Sequence, residues 1–550
     1  MNVDKTFYVD IIQFKKDKKT IQVYIHNCQL KNKSDDIQFL VNQKVTKYKK
    51  YLRHDLQNNN DNTKTVFWGY YLEFTISNLI NFSIIKNGKK LKIDYTYQSL
   101  LSRLPHCYKQ QNGFVFNHND YQITIKRQKK LNVLIREIRF LCNIKKEYTL
   151  KDTFICFIFR TAIRLYRTIS QPVILLSDRL NHASDNGEAL YKYLDKNSQR
   201  KLKLNFLIRK QSLEGQRLKN TGFKIIEPFS IKHFFKFFNC QKIISSSFDE
   251  WIYQPFGKYL NPAKPNFFTK MDVRLYFGLV NLEYIFLQHG TIKDDMSKSI
   301  NKEKQNFYSF IASNNKEAKS LKDLDYHFFD NEIILTGQPR YDYLNYNLES
   351  KQKLITIMPT WRKFLLPDKY INGQRAYYSG FKSTEFFKFY NSLLNDKKLL
   401  QQLDKSDYQL QFIIHPSLTR QIKDFSSYSK RVILPKPPYN FSKIINQTNI
   451  FVTDYSSIFY DFAYTGASII YSQFDNKTFF INQKYEQPFW TYKNNGLGPI
   501  TTTVAKTSHE IIKLIKNNGQ INHKYTSRYK ESFLWHDKNF CQRTNNAIFK

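Results

Sequence analysis

The sequence predicts an α/β protein in which two domains with doubly wound parallel sheets follow a small all-β domain. Two observations support this prediction. From Pro172 onward, short apolar runs alternate with amphipathic helical stretches, which is typical of parallel sheets covered by helices on both faces. Before about residue 130, apolar and polar residues alternate with a period of two between polar turns, which is typical of a β-sandwich. A chain of 550 residues is also too long for a single core.

Residues 1–130 are predicted to form the all-β accessory domain. Its clearest alternating runs are Ile21–Ile25, Val66–Leu72, Leu91–Tyr95 and Tyr121–Lys126. We find no set of catalytic residue types in this region. It is therefore either a docking module that guides an acceptor or a structural appendage.

Residues 131–170 are predicted to be a basic amphipathic helical linker. Leu134, Ile138 and Leu141 recur at helical spacing, and a second helix is expected from Phe154 to Ile169. The basic residues of the second helix are Arg160, Arg164 and Arg167. Helices of this kind lie in membrane interfaces, where anionic lipids attract the cationic side. The alternative is an interdomain helix pair whose charged face is solvated.

Residues 171–345 and 346–550 are predicted to be two doubly wound domains, with the polar segment Asn345–Lys353 as the hinge. Their predicted strands are short and apolar, as expected for buried parallel strands. They are Val173–Leu176, Lys242–Ile244, Tyr284–Leu287, Phe310–Ala312, Ile333–Leu335, Leu354–Met358, Leu410–Ile414, Ile450–Val452 and Ser468–Tyr471.

The charge balance and the cysteines restrict the class of partner and the compartment. The 86 Lys and Arg residues against 46 Asp and Glu give a formal charge of +40, which concentrates polyanions unless it reflects only compositional drift. The six cysteines form no CxxC pair, so a reducing cytoplasm is the simplest setting. The first residues lack the apolar core of a signal peptide, and no apolar run is long enough to span a bilayer. Any membrane contact is therefore expected to be peripheral.

Polar clusters follow most of the predicted strands of the two α/β domains. Because ligands bind outside the carboxyl ends of the strands in open α/β sheets, these clusters are expected to line a cleft between the two domains. The clusters are Ser177–Arg179, Ser245–Ser247, Gln288–Thr291, Thr336–Arg340, Pro359–Arg362, His415–Ser417 and Thr453–Ser457.

The segment Asp454-Tyr-Ser-Ser457 is predicted to form an anion site. A helical apolar stripe follows it, and Gly466 is expected to end that helix. If Ser456 or Ser457 caps the helix, backbone N–H groups and the positive end of the helix dipole are available to a pyrophosphate. The alternative is that the segment is only an N-cap.

His289 and His415 each follow an apolar run and precede a Gly or Pro residue, which places both at the sheet edge. One imidazole suits a general base and the other a phosphate or leaving-group contact. Arg340 and Arg362 can hold phosphate oxygens or can instead pair with carboxylates. The sequence contains no HExxH, EF-hand, Walker or GxGxxG pattern, so no metal site and no cofactor are predicted.

Taken in chain order, these motifs resemble the CDP-glycerol glycerophosphotransferases of teichoic acid and capsule synthesis. The resemblance spans about residues 170–520 and includes Phe462-Ala463, Gly498-Pro499 and, upstream, Ser184-Asp-Asn186. Its main motifs are Gln288-His-Gly-Thr291, Thr336-Gly-Gln-Pro-Arg-Tyr-Asp342, Met358-Pro-Thr-Trp-Arg362, Ile414-His-Pro416, Val452-Thr-Asp-Tyr-Ser-Ser457 and Tyr471-Ser-Gln-Phe-Asp475. Many members have Trp where Gln288 stands, and their Lys falls one residue later than Lys293.

The resemblance implies a GT-B-like fold, in which two Rossmann-like domains lie around a cleft, and a role for each site residue. His289 and His415 are the expected catalytic histidines. The residues expected to bind the donor or its phosphates are Thr360, Arg362, Asp454, Ser456 and Ser457. The residues expected to face or support the acceptor are Ser177, Asn186, Gln288, Gly290, Thr291, Lys293 and Arg340.

The predicted reaction is the transfer of glycerol 3-phosphate, or a related polyol phosphate, from CDP-glycerol to a hydroxyl of a teichoic-acid or capsule-type polymer or of its lipid-linked primer. CMP is the expected product. The enzyme is expected at the cytoplasmic face of the membrane, bound peripherally to anionic lipid. The sequence is also compatible with a homo-oligomer. A nucleotide-sugar glycosyltransferase is the enzymatic alternative. A protein that binds nucleic acid or another polyanion is the alternative of a different class, although no nucleic-acid-binding motif occurs.

Overall fold

The computed structural model describes most of the chain. The described residues are 6–14, 19–27, 37–55, 65–95, 114–119, 121–127, 135, 137–138, 141–142, 145, 149–197, 202–249, 252, 255, 279, 282–305, 307–323, 325–346, 351–362, 365, 370–371, 374–437, 439–483 and 489–549.

The chain divides into two compact units. The first contains Met1–Leu287, Ser297–Phe310 and Leu321–Ile333. The second contains Gln288–Met296, Ile311–Ser320 and Ile334–Lys550.

Two mainly antiparallel sheets form the N-terminal part of the first unit. One contains β1 (Thr6–Phe14), β2 (Thr20–Asn27), β5 (Tyr48–Asp55), β6 (Thr65–Thr75) and β9 (Lys92–Tyr95), in the order β5-β6-β2-β1-β9. The other contains β3 (Ile37–Val41), β4 (Lys44–Val45), β7 (Leu79–Lys86), β10 (Phe114–Asn119) and β11 (Gln122–Arg127), in the order β10-β11-β7-β3-β4, with β8 (Lys89–Lys90) paired to β7. Val23 and Leu72 of the first sheet share one core with Phe39 and Phe82 of the second, as in a sandwich. Each run predicted as a strand in this region overlaps a strand, although Leu91 and Tyr121 lie one residue before β9 and β11.

The outer face of the first sheet carries a tyrosine that completes a buried ion pair. Tyr24 donates a hydrogen bond from its hydroxyl to Glu332 Oε2 at 2.8 Å. Glu332 Oε1 accepts from Lys302 Nζ at 2.5 Å, and all three side chains are buried. A buried charge is costly unless its hydrogen-bonding groups have partners. The sandwich therefore helps to stabilise the buried Lys302–Glu332 pair by providing the Tyr24 hydroxyl as a donor.

Helix α1 (Leu150–Ile169) confirms the second helix of the predicted linker, whereas much of the first lies outside the described residues. Arg160 is buried and binds Glu137 through Nε at 2.8 Å and Nη2 at 2.6 Å. Arg164 also pairs with Glu137, and Arg167 donates to the carbonyl of Leu279. The expectation that these arginines meet anionic lipid is therefore corrected for Arg160, whose side chain is buried, and it stays a prediction for the half-buried Arg164 and the exposed Arg167.

A seven-stranded parallel sheet follows. Its strands are β12 (Val173–Ser177), β13 (Leu204–Leu207), β14 (Ile225–Ile226), β15 (Cys240–Ser245), β16 (Glu283–Phe286), β17 (Ser309–Ala312) and β18 (Ile333–Leu335), in the order β14-β13-β12-β15-β16-β17-β18. The helices of this region are α2 (Asn186–Asn197), α3 (Leu213–Asn220), α4 (Ile231–Phe238), α5 (Lys302–Gln305) and α6 (Asn315–Asp323).

A second parallel sheet, of six strands, lies in the second unit. Its strands are β19 (Leu354–Ile357), β22 (Gln409–Phe412), β23 (Val432–Ile433), β24 (Ile450–Thr453), β25 (Ser468–Ser472) and β26 (Ile500–Thr501), in the order β23-β22-β19-β24-β25-β26, and β20 (Tyr370–Ile371) pairs with β21 (Gln374–Arg375). The helices are α7 (Glu385–Leu394), α8 (Lys397–Ser406), α9 (Phe441–Gln447), α10 (Phe459–Tyr464), α11 (Asn476–Gln483), α12 (Tyr492–Asn495), α13 (Val504–Lys516), α14 (His523–Ser532) and α15 (Phe540–Ile548). The 3-10 helices are Pro339–Tyr343, Ser379–Ser383 and Pro416–Asp424.

Helices cover both faces of the six-stranded sheet. Ile450 and Val452 of β24 point into one core, whereas Phe451 between them points into another. This alternation explains why the strand is apolar on both sides. The carboxyl ends of the strands are then the places where polar loops can leave the sheet.

The cluster Thr336–Asp342 docks the C-terminal helix. Asp342 accepts hydrogen bonds from the backbone N–H groups of Phe540 at 2.9 Å and Cys541 at 2.8 Å. Gly337 has a φ of +77°, and a Cβ there would collide with the ring of Phe540. This cluster therefore has a structural role within the second unit.

No helix in the described part of the chain is long and apolar enough to cross a membrane.

Candidate active site

Two of the predicted loops meet in the second unit. A Cβ built at Gly290 would lie 3.0 Å from Ser457 Oγ. The neighbouring His289 is exposed, and Ser457 is half-buried. The contact therefore brings an accessible imidazole-bearing loop against the turn that follows β24.

Asp454 fixes the start of that turn. Its Oδ1 accepts from the backbone N–H of Thr360 at 2.8 Å and from that of Tyr455 at 2.6 Å. Thr360 follows β19 and Asp454 follows β24, and these strands are neighbours in the sheet. Asp454 is fully buried, so it holds these two loops together from the interior of the protein.

The helix after this turn begins later than predicted. Helix α10 starts at Phe459, its N-cap residue is Ile458, and no side chain caps it. Ser456 Oγ instead accepts from Ile458 N at 3.4 Å, so the prediction that Ser456 or Ser457 caps the helix is wrong. The helix is also only 6 residues long, which makes its dipole a minor contribution. The predicted end is confirmed, since Gly466 has a φ of +90° just after the helix.

Arg362 lies beneath the turn in a buried charge cluster. Its Nε and Nη2 bind Asp475 at 2.7 and 3.0 Å, and its Nη1 lies 2.9 Å from Asp454 Oδ2. Burial alone would lower the pKa of Arg362, but the two carboxylates outweigh it and raise that pKa. Of the two roles that the sequence allowed, the structure gives the pairing with carboxylates.

His415 stands at the start of the 3-10 helix Pro416–Asp424. Its Nδ1 accepts a hydrogen bond from Ser417 N at 3.1 Å. An accepting Nδ1 requires that the neutral ring carry its proton on Nε2. The ring of His415 also stacks on Trp361, with centroids 5.9 Å apart. Because Trp361 follows Thr360 directly, His415 belongs to the same group of strand-end loops as Asp454.

Most residues flanking His289 are buried rather than exposed. Gln288 has a φ of +53° and donates from Nε2 to the carbonyl of Ile311 at 2.9 Å. Thr291 Oγ1 lies 2.9 Å from Ser313 Oγ. Lys293 is buried and pairs with Asp294 at 2.6 Å. These side chains support the loop from inside.

The remaining predicted residues do not take part in these contacts. Arg340 binds Asp461 through Nη2 at 2.9 Å and Nε at 3.1 Å, so it too pairs with a carboxylate. Ser177 and Asn186 are buried in the first unit, where Asn186 donates to the carbonyl of Leu287 at 3.4 Å.

The first unit also contains a buried carboxylate at a helix start. Asp178 accepts from Gly187 N at 2.7 Å, Glu188 N at 3.1 Å and Ser246 Oγ at 2.6 Å. Burial, reinforced by the charge of Asp185, raises the pKa of Asp178 to about 7. The start of α2 is thus occupied by a side chain of the protein.

Sequence reasoning missed two supporting carboxylates. Asp475 ends the motif Tyr471-Ser-Gln-Phe-Asp475, but no function was predicted for its side chain, which pairs with Arg362. Glu317 was not singled out, although Asn314-x-x-Glu317 matches a helix-capping pattern. That pattern predicts where α6 begins, but it says nothing about contacts with residues 288–292.

Among the residues that the structure describes, no three His, Cys, Asp or Glu side chains are grouped as a metal site would need.

Two parallel sheets with polar strand-end loops place the chain in the α/β class, with its candidate site at the carboxyl ends of strands in the second unit. The chain belongs to the CDP-glycerol:poly(glycerophosphate) glycerophosphotransferase family, whose model matches residues 158–550. The family resemblance predicted from the motifs is therefore confirmed.

The chain is similar to curated proteins of teichoic acid synthesis. It is 32% identical over 488 residues to the minor teichoic acid biosynthesis protein GgaB of Bacillus subtilis (strain 168), covering 86% of this chain and 51% of GgaB. It is 22% identical over 384 residues to the teichoic acid glycerol-phosphate transferase of Staphylococcus aureus (strain NCTC 8325 / PS 47), covering 67% of this chain and 90% of that protein. The chain thus spans about half the length of GgaB.

A solved structure of a variant of the wall teichoic acid polymerase TagF has a similar fold. The TM-score is 0.51 at 17% sequence identity, and the match covers 76% of this chain and 98% of that one. At this identity the likeness concerns the fold alone.

Proposed function

We propose that this chain transfers glycerol 3-phosphate, or a related polyol phosphate, from CDP-glycerol to a hydroxyl of a teichoic-acid or capsule-type polymer or its lipid-linked primer. CMP is the second product. The observation that carries the proposal is the contact of Gly290 with Ser457. It supports a site in which the exposed His289, the neighbour of Gly290 in the chain, acts near hydroxyl groups suited to a phosphate.

The donor phosphates lie, in this proposal, over the turn 454–457. Ser456 and Ser457 are half-buried and supply hydroxyl donors. His415 supplies an Nε2–H donor, since its Nδ1 already accepts from Ser417. Arg362 and Asp454 hold the loops in place from the interior, so Arg362 acts on the phosphates only through the turn.

His289 is the proposed general base. The acceptor hydroxyl oxygen attacks the phosphorus attached to glycerol, and its proton moves to His289. A new phosphorus–oxygen bond forms as the bond to CMP breaks, and CMP leaves with that electron pair. Such transfers rely mainly on positioning and on electrostatic stabilisation of the phosphoryl oxygens. No cofactor is needed for this step.

Family membership and the fold likeness to TagF support a GT-B-like architecture of two Rossmann-like domains.

The proposed partner of helix α1 is an anionic membrane surface at the cytoplasmic face. An apolar stripe on this helix is exposed at helical spacing, and its members are Leu150, Phe154, Phe157, Ile158, Leu165 and Ile169. Phe154 is 63% and Ile169 is 83% exposed. Lys151 beside the stripe is also exposed, which favours lipid with anionic headgroups. The stripe is thus the main proposed membrane contact, in place of the buried Arg160.

The test is CMP release by the purified chain from CDP-glycerol, CDP-ribitol and UDP-glucose, each with polymer and primer acceptors. We expect release from a CDP-polyol only in the presence of an acceptor. Turnover of UDP-glucose alone would favour a glycosyltransferase. A melting temperature raised by duplex DNA at physiological salt, with no CMP released, would favour a polyanion-binding protein.

A further inference from the structure

Glu317 is a buried glutamate at the start of helix α6, within the second unit. Its backbone N–H donates to Asn314 Oδ1 at 3.0 Å, so Asn314 caps the helix. The carboxylate then turns back toward residues 288–292. Only 1% of Glu317 is exposed.

Every partner of the Glu317 carboxylate is a hydrogen-bond donor. Oε1 accepts from Ile292 N at 2.5 Å. Oε2 accepts from Gln288 Nε2 at 3.0 Å, from Ser313 N at 2.6 Å and from Ser313 Oγ at 2.5 Å. Burial raises the pKa of Glu317, and the hydrogen bonds from Ser313, Ile292 and Gln288 oppose that rise. Three of the four contacts come from N–H groups, which can only donate and therefore match carboxylate oxygens.

These bonds hold the loop on both sides of His289. Gln288 precedes the histidine, and its φ of +53° is unfavourable for a residue with a Cβ. Its side chain is fixed by Glu317 and by the carbonyl of Ile311. Beyond the histidine, Ile292 is fixed directly, and Thr291 is fixed through the hydroxyl of Ser313. Among residues 288–292, His289 is the one that is exposed.

We propose that Glu317 is the positioning residue of His289. It holds residues 288–292 in the conformation that places His289 at the turn 454–457. The inference rests on the proposed function of His289 and adds a residue that touches neither donor nor acceptor.

The carboxylate is required because an amide of the same shape reverses one contact. In Glu317→Gln the side-chain NH₂ faces either the N–H of Ile292 or that of Ser313, and two donors then oppose each other. At least one anchor is lost while the volume stays the same. A displaced general base loses rate without changing the binding of the nucleotide.

The experiment compares Glu317→Gln, His289→Ala and the double variant in the full chain. We expect Glu317→Gln to lower kcat by about 10- to 100-fold, with CDP-glycerol affinity within about twofold of the parent. In the His289→Ala background the same change should have no further effect, because Glu317 acts through His289. The proposal would be overturned if the losses of kcat from the two single variants multiplied in the double variant. It would also be overturned if kcat were unchanged in Glu317→Gln.

A matched control separates positioning from general destabilisation. Asp396 also accepts from a backbone N–H, that of Leu399 at 2.9 Å, and from a serine hydroxyl, Ser508 Oγ at 2.7 Å. Asp396→Asn therefore makes the same chemical change away from residues 288–292. It should leave kcat unchanged even where it lowers the melting temperature.

A structural measurement keeps the inference distinct from the proposed reaction. Hydrogen exchange at the amides of Ile292 and Ser313 should accelerate in Glu317→Gln and not in Asp396→Asn, whether or not CMP is released. If Glu317→Gln does not fold, Ser313→Ala and Gln288→Leu each remove one of the four hydrogen bonds to the Glu317 carboxylate and should give smaller losses of kcat. Unchanged exchange at both amides would overturn the inference, whereas a parent chain that releases no CMP would overturn the proposed function alone.

Discussion

Gly290 packs so closely on Ser457 that a methyl group at position 290 would lie 3.0 Å from the serine hydroxyl oxygen. The φ of Gly290 is outside the left-handed region, so that conformation does not account for a glycine here. A side chain at position 290 would instead press on the hydroxyl of Ser457. Two loops that are 167 positions apart in sequence, 457 minus 290, thus meet at one pair of residues.

Gly290→Ala is expected to reduce kcat by roughly 10-fold or more, because the new methyl group moves the His289 loop away from the turn. Ser457→Gly removes the opposing hydroxyl. The measurement is kcat for both single variants and for the double variant. We expect the double variant to be more active than the product of the two single effects. Strictly multiplicative effects would mean that the two loops do not communicate through this contact.

His289→Ala should abolish most turnover, since losing a general base typically costs about 10²- to 10⁴-fold in rate. Because His289 is exposed, the melting temperature should hardly change. CDP-glycerol should still bind, because the base acts on the acceptor hydroxyl. The checks are CMP release, donor affinity and a thermal melt. His523→Ala, at another exposed histidine, is the control, and near-normal turnover of His289→Ala would rule out the base.

His415→Asn and His415→Gln should differ, because the two nitrogens of the ring have different partners. The Asn amide can replace Nδ1 as the acceptor for Ser417 N but leaves the Nε2 position empty. The Gln amide reaches the Nε2 position and can donate there. We expect Gln to retain more donor affinity and activity, and Asn to retain the stability of the loop. Equal activity in both variants would argue against an Nε2–H contact to the phosphates.

Arg362→Met should destabilise the second unit strongly. Removing one partner of a buried ion pair costs about 3–5 kcal/mol, because the other charge stays buried, and here Asp454 and Asp475 would both be left. The exposed pair Arg431–Asp407 at 2.9 Å is the control, and Arg431→Met should cost less than about 1 kcal/mol. The free energy of unfolding in urea distinguishes them. Equal losses would show that Arg362 is not the central cation of a buried cluster.

The double variant Phe154→Ser/Leu165→Ser should release the protein from vesicles rich in phosphatidylglycerol, because both side chains belong to the exposed stripe on α1. Leu213→Ser/Ile481→Ser removes two exposed apolar side chains elsewhere and should leave binding intact. Co-sedimentation measures both. Binding that survives in the stripe variant would assign α1 to a protein contact instead.

Much of the fold could be predicted because buried parallel strands are apolar on both sides. Ile450–Val452 is an example, and it lies in β24 as predicted. Strand β13 was missed because Asn205 interrupts a run of only four residues, and β23 and β26 have two residues each. Runs this short carry too little periodicity to be distinguished from loops.

Only those features of the site that follow from the positions of strand ends could be predicted from the sequence. That rule placed Asp454 and Thr360 near each other, and they are joined by a hydrogen bond. The start of α10 was not predictable, because Tyr460 N bonds to Ser457 O at 3.1 Å and a turn delays the helix. The burial of Arg362 depends on Asp475, a residue on another loop. Contacts of this kind depend on tertiary packing, which one sequence does not reveal.

The hydrogen bond from Tyr24 to Glu332 spans 308 positions of the chain. At a synthesis rate of about 5–20 residues per second, the ribosome needs roughly 15–60 s to add those positions. During that interval the sandwich can form its own core, but its tyrosine-bearing outer face has no partner yet. The nascent chain therefore displays an unfinished surface for many seconds, and we expect chaperones that bind nascent chains to engage this face before residue 332 emerges.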